Sequence, residues 1–166
     1  PDGIRHITMA APLHDIGKVG IPDSILLKPG KLDAAEWEVM RTHAELGAQA
    51  ILRAMAQDGG DPAPFGFLKQ AIGIAQHHHE KWDGSGYPAG LSGEAIPLAA
   101  RLMALADVFD ALISKRVYKS AFTLDDATGI IVEGRGRHFD PEVVDAFLEL
   151  KGDFVAIAHR HADEPE

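Results

Sequence analysis

The residues able to do chemistry fall into four groups: His14-Asp15, His43, His77-His78-His79-Glu80 and Asp107 with Asp110. Each sits on or beside an apolar helical pattern, where an unpaired charge or imidazole is costly and demands a partner. A metal ion supplies that partner. Collected together, His14, Asp15, His43, His78, His79 and Asp107 form a nitrogen-and-oxygen ligand set without sulfur, which suits Fe, Mn or another first-row ion. Neighbours on a helix point about 100° apart, so the pair His78-His79 fits two metals better than one. Asp15, with two oxygens, can bridge such a pair. Two-metal hydrolases hold their ions roughly 3.5–4 Å apart, generate hydroxide from water near neutral pH and clamp a phosphoryl oxygen. Lys18, Arg116 and Lys119 are the cations placed to meet an anionic substrate, with Lys18 and Asp15 carrying the catalytic role. In isolation, any one of these histidines reads equally as a satisfied core residue or a solvated helix end.

The bulk properties frame that chemistry. The chain has 166 residues, 46% of them apolar, enough for one domain with a real core spanning 1–166. It opens on Pro1 and enters helical pattern almost at once, as expected of an excerpt from a longer chain. The formal net charge of -9 disfavours DNA, which needs a basic field, and makes local cations necessary for a phosphodiester. No cysteine occurs, so thiolate metal sites are excluded and a cytoplasmic location is expected. No apolar run reaches the length of about 18 residues needed for membrane insertion.

The elements that must position these groups read as helices throughout. Ile4 to Leu13 delivers His14-Asp15. Asp33 with Glu36 forms a capping box, and one helix is expected to run from there along Trp37, Met40, Gly47, Ala50, Ile51 and Ala54, with His43 on its stripe. A Gly- and Pro-rich loop over 57–66 separates it from a helix over Phe67 to His79. The glycines and Pro88 of Asp83 to Leu91 then force a loop. Leu98 to Leu112 carries Asp107 and Asp110 on one face, and one of the two aspartates is expected to be buried and liganded. Thr123 and Asp126 cap a further helix, Asp140-Pro141 opens the next, and Gly152 is expected to end it. No alternating strand pattern or internal repeat appears. The expected fold is all-α, a bundle of about six or seven helices.

Taken as a string, His14-Asp15-Ile16-Gly17-Lys18, Ile21-Pro22-Asp23, Lys28-Pro29-Gly30, His78-His79-Glu80, Asp83 to Pro88, Gly90-Leu91, Asp107 to Leu112 and Arg116 to Lys119 resemble the HD-GYP family. That family is a branch of the HD superfamily of metal-dependent phosphohydrolases, and the match runs from about Ala10 to Phe147. The resemblance implies an HD-domain-like helical bundle that hydrolyses cyclic di-GMP to linear pGpG, and on to GMP, at a di- or tri-metal centre. It implies metal ligands at His14, Asp15, His43, His78, His79 and Asp107. It also implies phosphate contacts at Lys18, Arg116 and Lys119 and a substrate wall at Tyr87. His77 has no counterpart. Trinuclear members take further ligands, a glutamate and a histidine, from an upstream helix. No glutamate precedes His14 and His6 lies too close, so two divalent ions are expected, a third requiring upstream ligands. Val117 stands where proline is common. Three readings remain open: the phosphodiesterase, a non-catalytic nucleotide sensor or protein-docking module acting through the Gly86-Tyr87-Pro88 loop, and an enzyme for another cyclic dinucleotide.

Overall fold

The computed structural model describes residues 2–57, 66–114 and 122–162. Arg116 and Lys119 lie outside the described residues, and so does most of the 57–66 loop. The chain is all-α, with nine α-helices among the described residues: α1 (Asp2–Ala10), α2 (Asp23–Leu26), α3 (Ala34–Arg41), α4 (His43–Gln57), α5 (Gly66–His77), α6 (Leu98–Ile113), α7 (Leu124–Glu133), α8 (Pro141–Glu149) and α9 (Lys151–Ala162). The count exceeds six or seven because α2 is a single turn and two expected helices are each divided. Among the described residues the only β feature is an isolated bridge between Arg135 and Phe139, in the turn between α7 and α8.

Both divisions follow from local chemistry. The capping box forms as expected: Glu36 N donates to Asp33 Oδ1 at 2.9 Å, and Asp33 N to Glu36 Oε2 at 2.8 Å. The helix it opens stops at Arg41, however, where the Thr42 hydroxyl donates to Val39 O at 2.7 Å, a side-chain bond that competes with the helical ladder. Trp37 is 51% exposed and Ala50 and Ala54 also face outward, while Ala44, Gly47, Ala48 and Ile51 make the buried stripe of α4. Gly152 does not end a helix. The chain turns at Leu150, and Gly152 lies in the first turn of α9, whose Phe154 packs edge-to-face on Phe109 and Phe147. The other caps hold: Thr123 accepts from Asp126 N, and Asp140 from Glu142 N ahead of Pro141.

Two apolar clusters share α6. One joins α1, α4, α5 and α6 through Ala10, Ile51, Ala71, Ile74, Ala75 and Ala99. The other joins α6, α7 and α8 through Leu105, Phe109, Ile131, Phe139, Val144 and Phe147. The small residues of the first let backbones approach closely. Closest is the turn after α1, where a Cβ on Gly17 would fall inside His43 O and only 2.5 Å from Gly47 N. This contact seats the His14-Asp15 segment on the start of α4, and the end of α5 packs beside both.

Candidate metal centre

Three of the four histidines of the centre are aimed from the backbone. After α1 the chain makes two 3-10 turns, Ala11–Leu13 and Ile16–Gly20, with His14 and Asp15 between them. His14 Nδ1 lies 2.9 Å from Ala11 O, His43 Nδ1 2.7 Å from Met40 O and His78 Nδ1 2.9 Å from Ile74 O. A carbonyl only accepts, so in all three rings Nδ1 carries the hydrogen and donates it. The neutral ring then presents the lone pair of Nε2, the tautomer of a metal-ligating histidine.

Those lone pairs converge on Asp15. His14 Nε2 is 3.3 Å from Asp15 Oδ2, while His43 Nε2 and His78 Nε2 are 3.3 and 3.7 Å from Oδ1. His79 Nε2 lies 3.1 Å from His43 Nε2. Ligand atoms about 2.1 Å from one ion sit about 3.0–3.4 Å from each other, so most of these spacings are those of atoms sharing a cation. Asp15 Oδ1 and His78 Nε2 are buried without any hydrogen-bond partner, a cost of about 1–3 kcal/mol each if nothing fills the space between them. The donor set therefore fits a divalent metal. Asp15, His43, His78 and His79 each bring one ligand atom within 4.8 Å of the others.

Electrostatics agree with a cation-seeking site. Burial pushes the Asp15 carboxyl up, but the imidazoles of His14, His43 and His78 and the Lys18 amine, all facing its oxygens, outweigh it and hold the group far below the usual carboxylate range. Burial beside the His78 and His43 imidazoles pushes His79 down to about 3, so its ring is neutral at neutral pH. The hydrogen bond to Asp15 raises His14 against the opposing effect of burial.

Four further expectations meet the coordinates. His78 and His79 are not consecutive helical residues, because α5 ends at His77. In the turn that follows, their ring centroids are 4.0 Å apart, so the 100° rule does not separate them and both join one group. Of the two aspartates on α6, Asp107 is half-buried with Oδ1 3.8 Å from His14 Nε2, outside the four-residue group but next to it. Asp110 is exposed. Lys18 lies within the second 3-10 turn, three residues after Asp15, so its amine reaches back to Asp15 Oδ2 at 2.5 Å while staying 42% exposed. His6 packs toward Gly66 at the start of α5.

The loop after the histidines is pinned by a residue whose role the motif does not announce. Glu80 is 2% exposed, and its carboxylate accepts from Ala89 N at 2.7 Å and Leu91 N at 3.1 Å. Asp83 Oδ1 accepts from both the amide and the hydroxyl of Ser85, and Gly84 takes φ +82. Gly86 passes so close to Glu80 Cα and Lys81 N that no side chain fits there. The result sets Tyr87 flat against His79, with centroids 4.8 Å apart and planes 22° apart. The Arg41 guanidinium lies over the Tyr87 ring, 4.6 Å from its centroid. Burial pushes the Tyr87 hydroxyl up to about 12, keeping it a neutral donor. Arg41 carries no signal in sequence beyond standing two residues before His43.

The HD domain family model matches residues 3–143. The chain is 60% identical to a cyclic di-GMP phosphodiesterase of Vibrio cholerae serotype O1, across 98% of this chain and 32% of that protein. It is 52% identical to the cyclic di-GMP phosphodiesterase response regulator RpfG of Xanthomonas campestris pv. campestris, across 87% and 36%. A 3'3'-cGAMP-specific phosphodiesterase 2 of V. cholerae is 48% identical across 91% and 27%. The chain thus spans about a third of the length of these curated relatives. No helix among the described residues is long and apolar enough to cross a membrane. With histidine lone pairs gathered on the aspartate of His14-Asp15 and the Gly86-Tyr87-Pro88 loop folded onto His79, the chain belongs to the HD domain family and carries the motifs of its HD-GYP branch.

Proposed function

We propose that this chain is a metal-dependent phosphodiesterase that opens cyclic di-GMP to linear pGpG, with further cleavage to GMP, in the cytoplasm. The observation that carries the reading is the set of three histidines with Nδ1 fixed on backbone carbonyls and Nε2 turned to the half-buried Asp15 carboxylate, whose Oδ1 is buried. That arrangement suits a resident cation, and the relatives at about half identity or more named for cyclic di-GMP hydrolysis supply the substrate class.

His14, Asp15, His43, His78, His79 and Asp107 would hold two ions, iron or manganese, with the two Asp15 oxygens turned toward different histidines. When bound, the ions supply Lewis acidity, lowering the pKa of water and withdrawing charge from a phosphoryl oxygen. The protein does the rest. Asp15 is held ionised at neutral pH, and the backbone-locked imidazoles keep their lone pairs inward. Lys18 is partly exposed beside Asp15 and offers positive charge to a substrate phosphate. Arg116 and Lys119, in the cationic segment before Phe122, are assigned the same task. Tyr87 forms one wall of the nucleotide pocket and, by stacking, holds the ring of His79. Lys119→Ala, with metal content kept, should then lower kcat/KM.

The test is to purify the chain without oxygen, measure iron and manganese, and follow cyclic di-GMP and its products by chromatography. Expected are bound metal and formation of pGpG. Bound metal with no product in either metal form would favour the nucleotide sensor. Faster turnover of 3'3'-cGAMP would instead assign it to the substrate of the 48% identical relative.

A further inference from the structure

A groove of about 180 Å³ runs beside the metal centre, lined by Glu38, Arg41, Thr42, Glu45, Tyr87 and Pro88. At about 10–15 Å³ of such space per water, this holds many waters and has room for one heterocyclic base. One wall is the helical face on which Glu38, Arg41 and Glu45 recur at helical spacing across the break at Thr42. The other is Tyr87-Pro88, and Tyr87 also stacks on His79. The groove therefore shares a wall with the centre where a phosphodiester would sit.

The groove's polar groups are unusual in having unspent capacity. Arg41 gives one N–H to Glu38 Oε1 at 3.0 Å, and its guanidinium is braced over the Tyr87 ring at 4.6 Å. Its remaining N–H groups have no hydrogen-bond partner among the described residues, although a guanidinium carries five donors. Glu45 is exposed and makes no hydrogen bond or ion pair there either. A fork of donors next to a carboxylate, against an aromatic and a proline, is the complement of guanine. Guanine offers the O6 and N7 acceptors to an arginine, and its N1–H and N2–H donors to a carboxylate. Adenine keeps N7 but replaces the O6 acceptor with an amino donor and has no N1–H, so it meets both groups with the wrong polarity.

The geometry points to this groove as a guanine-reading subsite, in which Arg41 and Glu45 select the base of the dinucleotide held at the metal centre. The assignment rests on the cyclic dinucleotide reading above and adds to it the residues that choose the base. It also separates Arg41 from the phosphate-facing Lys18, because its role is to discriminate and not to neutralise charge.

The experiment compares kcat/KM of the metal-loaded chain for cyclic di-GMP, cyclic di-AMP and bis(p-nitrophenyl) phosphate, a phosphodiester without a base. Arg41→Gln and Glu45→Gln are each expected to cut the preference for cyclic di-GMP over cyclic di-AMP by about tenfold or more, leaving the base-free ester and the metal content unchanged. Arg41→Lys keeps the charge but not the fork, so it should lose the preference as well. An equal fall on all three substrates would overturn the assignment and make Arg41 a support for the Tyr87–His79 stack. An unmoved preference in both variants would also overturn it while leaving the phosphodiesterase reading intact. Failure of the unaltered chain to cleave any cyclic dinucleotide overturns both.

Discussion

Gly17 gives the sharpest test of how packing builds the centre. It carries no chemistry, yet replacing it by alanine puts a Cβ 2.5 Å from Gly47 N and 2.9 Å from the carbonyl carbon of His43, with His43 O closer still. All three are backbone atoms and cannot rotate away. Ordinary contact begins at 3.4 Å, so the His14-Asp15 turn and the start of α4 must part by roughly 1 Å or more. Ligand distances in a metal site are tolerant to only about ±0.2 Å, so a shift of that size takes Asp15 out of register with His43. The overpacking itself should cost about 1–3 kcal/mol. At about 2–4 °C per kcal/mol for a chain of this length, the fall in Tm is about 2–12 °C. Gly20→Ala is the matched control: its Cβ would meet Leu46 Cδ1 at 3.1 Å, a side-chain methyl that can turn aside. Metal content by elemental analysis and Tm by calorimetry are read on both variants. Gly17→Ala is expected to lose metal and stability together, with Gly20→Ala close to the parent. Full metal content in Gly17→Ala would refute the claim that this contact sets the distance between Asp15 and His43.

Two other outcomes follow from the same geometry. Asp15→Ala should deplete metal more than any other single change, because His14, His43 and His78 all face its oxygens; retention of full metal content would remove it from the centre. Glu80→Gln keeps one acceptor oxygen but turns its amide NH2 toward the other of the Ala89 and Leu91 donors, costing about 1–3 kcal/mol locally, so hydrogen exchange should quicken at those amides and not in α8; unaltered protection at both would show the loop to be held by something else.

What could be read from residue types was which polar groups needed a partner. His43 and His78, each 2% exposed, and Asp15 between them sit where apolar neighbours leave them unsatisfied, and the pattern exposes that conflict directly. The caps at Asp33, Thr123 and Asp140 were legible for the same reason, since their hydrogen bonds are local. Less accessible were features decided by atoms far apart in the chain. The break at Thr42 is a local exception, one hydroxyl choosing Val39 O three residues back, which apolar periodicity does not register. The continuation past Gly152 hangs on Phe154 finding Phe109, a contact across 45 residues that outweighs the helix penalty of glycine.

The same distinction explains why Glu80 and Arg41 carry so little signal. A glutamate after a run of histidines reads as one more ligand or as a solvated end. Its function depends on where Ala89 and Leu91 return, and that is set by Gly86 having no side chain. Arg41 reads as an ordinary surface cation until the loop brings Tyr87 beneath it. Its meaning is therefore conditional on Glu80: if the carboxylate did not hold the loop, Tyr87 would leave both His79 and Arg41, and the groove would lose a wall. One buried glutamate thus couples the ring that completes the metal centre to the face that meets the base. The Glu80→Gln chain should consequently lose preference among cyclic dinucleotides as well as loop protection, whereas a purely structural glutamate would lower turnover of every substrate alike.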